Sequence, residues 1–507
     1  MTNNKKILDV LVCLSLANLV MMKVWVLLLP FNPGKSFWLS HSPANSYMAS
    51  IINTFIIGLG FWCTVFIAKR WRLATKSVWS FLYVITLCFF LNGLRIYFSA
   101  TLPSLYVLLS KAGVLLVSIV LLVLMAVFVL FTILCRNLIL RLCIRLPLVF
   151  APFIIVTFGT SLFALHNSEP EFVFFASSKH SLPQEKRRSV PVVWVIFDEL
   201  DYGIVFEQRP KNLLLTELDK LRSTCVFVNN AYSPSASTAV SIPAMLTGKA
   251  LKETKPISAT EMSLIKPNGT TSNLKSESVF TDMNNKGEIT ALFGWYFPYS
   301  RVFNSVDVIK DYPTMFYPTS ERLDITVIAQ LRSLVEAAHF SPFGDSLVAI
   351  NHILITKSMH NDVLDFLQTY HTGLIFLHYP IPHEPYIYDR YTHKYGTNHS
   401  VKEGYFDNVA LVDMLLGEIR RTLEKTGVWD KSLFIVSADH GWRNNSFGGI
   451  IDKQRVPLMI KLPEQKTAIL ASDHFETVKT RQMISNVIDG KINTPEELRR
   501  WMQGLRI

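Results

Sequence analysis

Disulfide bonds are excluded from most of this 507-residue chain. Five of its six cysteines, Cys13, Cys63, Cys88, Cys135 and Cys143, stand in or beside apolar N-terminal segments, which leaves Cys225 alone in the polar remainder. The remainder must be held by its core and not by a cross-linked framework, as is ordinary for exported bacterial domains. A Lys/Arg run or a basic stripe interleaved with aromatics is also missing, so the formal charge of +11 does not point to nucleic acid. No internal repeat is present. No small-residue cleavage site follows the first apolar segment, which excludes a removable signal peptide.

Apolar residues, by contrast, are abundant: 50% of the chain is hydrophobic and the mean hydropathy is +0.28. Part of the chain therefore belongs in lipid. Runs at 10–29, 48–68, 78–94, 113–135 and 146–166 are each near the ~20 residues a spanning helix needs. Five transmembrane helices are predicted over residues 1–166. Lys5, Lys6, Lys69, Arg70, Arg72, Lys76, Arg136, Arg141 and Arg145 fall on one side of these spans, against Lys35, Arg95 and Lys111 on the other. The richer side is the cytoplasmic one. An odd number of crossings then places everything after His166 outside, as in a multi-pass protein of a bacterial inner (plasma) membrane with a periplasmic or extracellular domain. Lys23, inside the first span, is read as snorkelling toward the interface.

Residues 167–190 read as a linker. From 191 to 507 the pattern changes to short β-branched runs alternating with amphipathic stretches, the signature of an α/β domain with a mainly parallel sheet flanked by helices. The segment from Asp407 to Glu424 reads as a helix closed by Gly427, and Thr494-Pro495-Glu496-Glu497 as the start of a terminal one. Residues 251–289, rich in Ser, Thr, Asn and Lys, read as a surface excursion.

In an open α/β sheet, ligands gather at the carboxyl ends of strands. Three runs end on chemistry. V-V-W-V-I-F delivers Asp198 and Glu199, L-I-F-L delivers His378 with His383 close behind, and L-F-I-V-S-A delivers Asp439 and His440. Carboxylates and imidazoles are ligands that suit zinc or manganese. A fourth element, A-Y-S-P-S-A-S-T-A-V-S-I-P-A-M-L-T-G, crowds hydroxyls at a helix entry. There, free N–H groups and the dipole favour a phosphate or sulfate. Thr238 stands at that entry as candidate nucleophile, since a coordinated divalent metal can activate its alcohol.

In the order and spacing of these motifs, residues 191–507 resemble sulfatase-like members of the alkaline phosphatase superfamily. D-E-L resembles their first metal-binding acidic pair, the Thr238 segment their nucleophile segment, and S-A-D-H-G their second metal-binding motif. Counting back ten from Gly248 gives Thr238 where sulfatases carry a residue oxidised to formylglycine. Threonine cannot undergo that conversion, and Val240 and Ile242 replace the usual Pro and Arg. Threonine followed by S-I-P-A-M instead resembles the membrane-bound phosphoethanolamine transferases and lipoteichoic acid synthases, which also carry five N-terminal helices.

That resemblance implies one divalent metal, zinc first with manganese or calcium as alternatives. Its ligands would be Glu199 with Asp198 adjacent, Thr238, Asp439 and His440. It also implies a membrane phospholipid donor and a glycan or lipid-linked sugar acceptor. His383 would bond to the transferred group or protonate the leaving alcohol. His378 and Arg443 are placed with the substrate, and Asp413, inside the amphipathic helix, is given a structural part. The expected reaction moves a phosphoethanolamine- or phosphoglycerol-like headgroup through a phospho-threonine. The alternatives are hydrolysis of a phosphate or sulfate ester on a cell-surface polysaccharide, and a non-catalytic glycan-binding membrane protein.

Overall fold

The computed structural model describes residues 3–28, 37, 43–71, 75–101, 149–167 and 190–505, the last with gaps at 259, 275–276, 304, 313–321, 336–343, 397–400 and 444–452. Two compact units emerge. One comprises Met1–Asn32, Leu39–Phe172 and Phe316–Asp345; the other comprises Pro33–Trp38, Val173–Met315 and Ser346–Ile507.

The first unit holds α1 (Asn3–Val20), α2 (Met22–Leu28), α3 (Pro43–Arg70), α4 (Thr75–Thr101) and α5 (Ala151–Asn167). Two helices, over Ala44–Arg70 and Thr75–Leu94, are long and apolar enough to cross a membrane. This is fewer than the five expected among the described residues. The run at 10–29 is divided between α1 and α2, α5 is a shorter apolar helix, and 113–135 lies outside the described residues, as does most of the 167–190 linker.

The second unit is built on one sheet. Its strands are β1 (Val192–Asp198), β2 (Val226–Val228), β6 (Thr290–Trp295), β7 (Val308–Tyr312), β8 (Leu374–Pro382), β9 (Leu433–Ala438), β10 (Leu458–Lys461) and β11 (Ile469–Ala471), in the order β11-β2-β10-β9-β1-β8-β6-β7. All neighbours run parallel except β9/β10 and β10/β2, so the mainly parallel α/β domain expected from the sequence is present. β1 is buried along its whole length. Val193, Val195 and Phe197 face one core and Val192, Trp194 and Ile196 the other, which is why these strands read as unbroken apolar runs without alternation. The 251–289 excursion is in part ordered: β3 (Glu253–Ser258), β4 (Glu261–Ile265) and β5 (Thr271–Asn273) form a small antiparallel sheet. Its alternating half-burial hid it among polar residues.

The helices that matter below are α6 (Thr216–Arg222), α7 (Thr238–Thr247), α8 (Leu323–Val335), α9 (Gly344–Thr369) and α10 (Val401–Lys425). α10 begins six residues before the expected Asp407, and Gly427 ends it in the left-handed region at φ 70°. Asp413 in α10 accepts the main-chain N–H groups of Leu218 at 2.7 Å and Glu217 at 3.2 Å, capping α6 and bearing out a structural part for that acid. The terminal helix Pro495–Gln503 starts on Thr494 with a reciprocal Thr494–Glu497 capping box.

α8 is the departure from a two-part linear division. The chain leaves the second unit after Met315, and residues 316–345 belong to the first. Within that unit α8 packs along α3, and the Lys23 ammonium donates to the main-chain carbonyl of Ser333 at the end of α8. Lys23 is thus bound to α8 inside the unit.

Candidate active site

Three neighbouring strands, β8, β1 and β9, bring their carboxyl ends together, and the unshifted parallel register of β1 and β9, which ends with Phe197 opposite Ala438, leaves Asp198 and Asp439 side by side. Asp198 is fully buried, and neither of its carboxylate oxygens has a hydrogen-bond partner among the described residues. Asp439 uses one oxygen to accept the N–H groups of Glu199 at 3.1 Å and His440 at 2.9 Å, while its Oδ2 is unpartnered. His440 Nδ1 lies 2.8 Å from the carbonyl of Gly441. A carbonyl only accepts, which fixes the proton on Nδ1 and turns the Nε2 lone pair into the site. Ligand atoms of Asp198, Asp439 and His440 all lie within 4.8 Å of one another.

Thr238 opens α7, and no side chain caps that helix at Ser237; the N–H groups of Val240 and Ser241 donate to the Ser237 carbonyl, so those of Thr238 and Ala239 are the ones left to an anion. The Thr238 hydroxyl is buried and its Oγ1 lies 3.2 Å from His440 Nε2.

Glu199 takes a left-handed backbone conformation at φ 68°, a costly choice for a residue with a Cβ. The conformation is held by Tyr405, whose hydroxyl donates to the Glu199 carbonyl at 2.7 Å and accepts from the N–H of Asp201 at 3.0 Å. Tyr405 in turn stacks on Trp442, 4.0 Å between ring centroids. The Glu199 carboxylate stands 3.5 Å from Arg443 Nε. Glu199 therefore flanks the Asp198–Asp439–His440 group on its guanidinium side, and among the described residues Asp198, not Glu199, belongs to the group itself.

Arg443 Nη2 donates to His440 Nε2 at 2.6 Å. It is a half-exposed cation facing the lone pair of a ligand-type imidazole. Burial, and then the neighbouring Asp439 and Glu199 carboxylates, push the Asp198 carboxyl well above its ordinary range. Burial also raises Glu199. Two buried carboxylates with orphaned oxygens, Asp198 and Asp439, are costly unless a cation neutralises them. The donor set, two carboxylates, an imidazole and an adjacent hydroxyl, fits a divalent metal.

His378 is fully buried at the end of β8, with Nδ1 2.8 Å from the Tyr299 hydroxyl and an unpartnered Nε2 4.0 Å from Asp198 Oδ2. Burial pushes its pKa down to about 4, so the ring is neutral. Tyr299 reaches it because Gly294, paired with His378 across β6/β8, has no side chain. A Cβ there would lie 2.2 Å from the Tyr299 ring. His383 is half-buried five residues on, its ring 5.5 Å from that of Trp295. Its loop is clamped by Asn408 of α10, whose Nδ2 donates to the carbonyls of Pro382, His383 and Pro385, each at 3.3 Å, and whose Oδ1 accepts from the N–H of Ile387 at 2.9 Å.

The site thus gathers Thr238, Asp198, Glu199, Asp439, His440, Arg443 and His378 around one point of the sheet edge, with His383 on the adjoining loop. Sequence reading missed Asn408, Tyr405 and Tyr299. The one available signal was the buried Asn408 beside Asp407 on the apolar face of α10.

Comparison with known proteins is consistent with this geometry. The sulfatase family model matches residues 191–490, and no curated protein matches the chain in sequence. Solved structures that align with it include the phosphonate monoester hydrolase of Agrobacterium radiobacter, at 14% identity over 59% of this chain and 74% of that one, TM-score 0.40. The phosphonate monoester hydrolase from Silicibacter pomeroyi aligns at 15% over 59% and 73%, TM-score 0.40. A protein in the alkaline phosphatase superfamily from Vibrio parahaemolyticus aligns at 15% over 62% and 69%, TM-score 0.38. With its matched domain spanning the whole sheet and every residue of the site, the chain belongs to the sulfatase family of the alkaline phosphatase superfamily.

Proposed function

We propose that the protein is a membrane-anchored phosphotransferase that moves a phospho-alcohol headgroup from a membrane phospholipid to a glycan or lipid-linked sugar, with Thr238 as covalent nucleophile. The observation that carries this reading is the Thr238 hydroxyl, buried at an uncapped helix N-terminus and 3.2 Å from His440 Nε2. Threonine cannot supply formylglycine chemistry, but it can carry a phosphoryl group.

Asp198, Asp439 and His440 would hold a divalent metal, zinc by its donor types, with Thr238 and Glu199 beside it. When bound, the metal supplies charge neutralisation and lowers the cost of ionising a nearby hydroxyl. Thr238 Oγ1 then bonds to phosphorus as the bond to the glyceryl oxygen breaks. The threonine proton is balanced by one delivered to the departing diacylglycerol, a transfer given in this reading to His383. An acceptor hydroxyl attacks the phospho-threonine in the second step, loses its proton to the same base, and returns Thr238 as the free alcohol. The N–H groups at the start of α7 and the Arg443 guanidinium would stabilise charge on the equatorial oxygens.

The lipid donor accounts for the N-terminal unit. In this reading the unit crosses the inner membrane of a bacterium several times and delivers the catalytic domain outside the cytoplasm. Hydrolysis of a phosphate or sulfate ester on a cell-surface polysaccharide uses the same first step with water as acceptor. The half-exposed position of His383 favours it equally. Intact-mass spectrometry of the full chain after incubation with phosphatidylethanolamine and phosphatidylglycerol separates the readings. An adduct of headgroup mass on wild type and none on Thr238→Ala supports the transferase. No adduct, with diacylglycerol undetected, overturns it.

A further inference from the structure

Helix α8 is built inside out. A helix on the outside of a water-soluble domain buries its apolar stripe and exposes its polar one. Beside Leu334, which joins an apolar cluster of the unit, α8 buries Thr326, Gln330 and Ser333, at spacings of four and three that put them on one face, and exposes Ile325 at 44% and Ile328 at 65%. The surface that receives the polar face has the same reversal. On α3, Ser46, Ser50, Asn53 and Thr54 are buried while Phe55, Ile56 and Leu59 are exposed at 51%, 49% and 59%.

The two polar faces are joined by hydrogen bonds. Gln330 Nε2 donates to the Ser46 carbonyl at 2.8 Å, Asn53 Nδ2 donates to Gln330 Oε1 and to the Val327 carbonyl at 3.1 Å each, and Ser50 Oγ donates to Gln330 Oε1 at 3.3 Å. Polar groups that satisfy one another inward, with isoleucine, phenylalanine and leucine outward, describe helix pairing in lipid and not in water. The α3 helix has one of the two membrane-crossing windows, of which only 28% is buried within the protein.

We infer that α8, although encoded between β7 and α9 of the catalytic half, is a lipid-facing interfacial helix whose Ile325 and Ile328 contact the acyl chains of the bilayer. The inference rests on the membrane anchoring proposed above. Depth follows from the contacts. They involve α3 residues 46 to 53, roughly 5 to 15 Å along the helix from its Pro43 end, which sets α8 at the boundary between headgroups and acyl chains. Exposed Arg322 and Arg332 stand near its two ends, about 15 Å apart along the axis, and suit the headgroup layer.

Photo-crosslinking in the full-length protein tests this. Benzoylphenylalanine is placed in turn at Ile328, at Leu59 of α3 and at Leu214, an apolar residue 77% exposed in the catalytic unit. The variants are reconstituted in vesicles of phosphatidylethanolamine and phosphatidylglycerol and irradiated. Peptide mass spectrometry is expected to find lipid adducts at 328 and 59, severalfold above any at 214. Adducts at 59 but not at 328 overturn the inference while leaving the membrane anchor in place. Adducts at neither position overturn the anchor and the inference with it.

Discussion

Thr238 Oγ1 lies 3.2 Å from His440 Nε2, although 202 residues separate them in sequence. The imidazole proton is committed to the Gly441 carbonyl, so the hydroxyl and the Arg443 guanidinium share the Nε2 lone pair. Thr238→Ala is expected to reduce turnover by at least about a thousandfold and to abolish the covalent adduct, while Thr238→Ser retains an adduct of the same added mass. An intact-mass comparison of the three proteins checks both, and an adduct surviving in Thr238→Ala would sink the assignment.

Orphaned carboxylate oxygens on Asp198 and Asp439 predict a coupling between metal and stability. Removing the metal with a chelator is expected to lower the Tm of the wild-type protein, since a ligand bound only to the folded state stabilises it. Asp198→Asn should lose the metal by elemental analysis, yet be more stable than chelated wild type, because one buried unpaired charge has gone. Equal Tm values for these two metal-free proteins would contradict the electrostatic account.

Asn408 touches no reacting atom in this scheme, yet four hydrogen bonds tie it to the 382–387 loop that presents His383. Asn408→Ala is expected to cost about 2 kcal/mol of stability and roughly tenfold or more in kcat, with metal content unchanged. Loss of metal in that variant would show that the residue supports the ligand cluster and not the loop.

Asp413 should leave a signature in the pH dependence of stability. Burial raises its carboxyl from the ordinary 3.8 to about 6, so between those values the folded chain holds a proton that the unfolded chain has lost. The corresponding stability is present in full below the unfolded pKa and disappears as pH rises through about 6. Asp413→Asn is expected to flatten that slope, removing on the order of 2 kcal/mol of variation from denaturation curves between pH 4 and 7. An unchanged slope would place the titration on another group.

How much of this was legible depends on where each residue sits relative to a strand. Asp198, His378, Asp439 and His440 each follow an uninterrupted apolar run, and a strand buried on both faces announces its own end. Thr238 was legible because hydroxyls and small residues crowd the entry to α7. Which of Asp198 and Glu199 turns into the ligand group was not, since that is decided by the left-handed backbone at Glu199 and by the Tyr405 hydroxyl that holds it. Tyr299 and Asn408 reach the site through tertiary packing, one across the bare Cα of Gly294 and the other from mid-helix. α8 was invisible for a different reason: its thirteen residues contain no run long enough to suggest lipid, and its polar face gains meaning only opposite α3.

The discontinuity of the first unit also sets an order of events during biosynthesis. In the membrane-anchored reading proposed above, Ser46, Ser50 and Asn53 enter the membrane with α3 before Gln330 has been made; nearly three hundred residues must still emerge from the ribosome. Until then the helix bundle carries an uncovered polar seam in an apolar medium, the kind of transient defect that membrane proteases and insertion chaperones act upon. In that reading the emergence of α8, part-way through the catalytic half, is the step that seals the anchor, and a chain truncated before residue 330 would be left with that seam open.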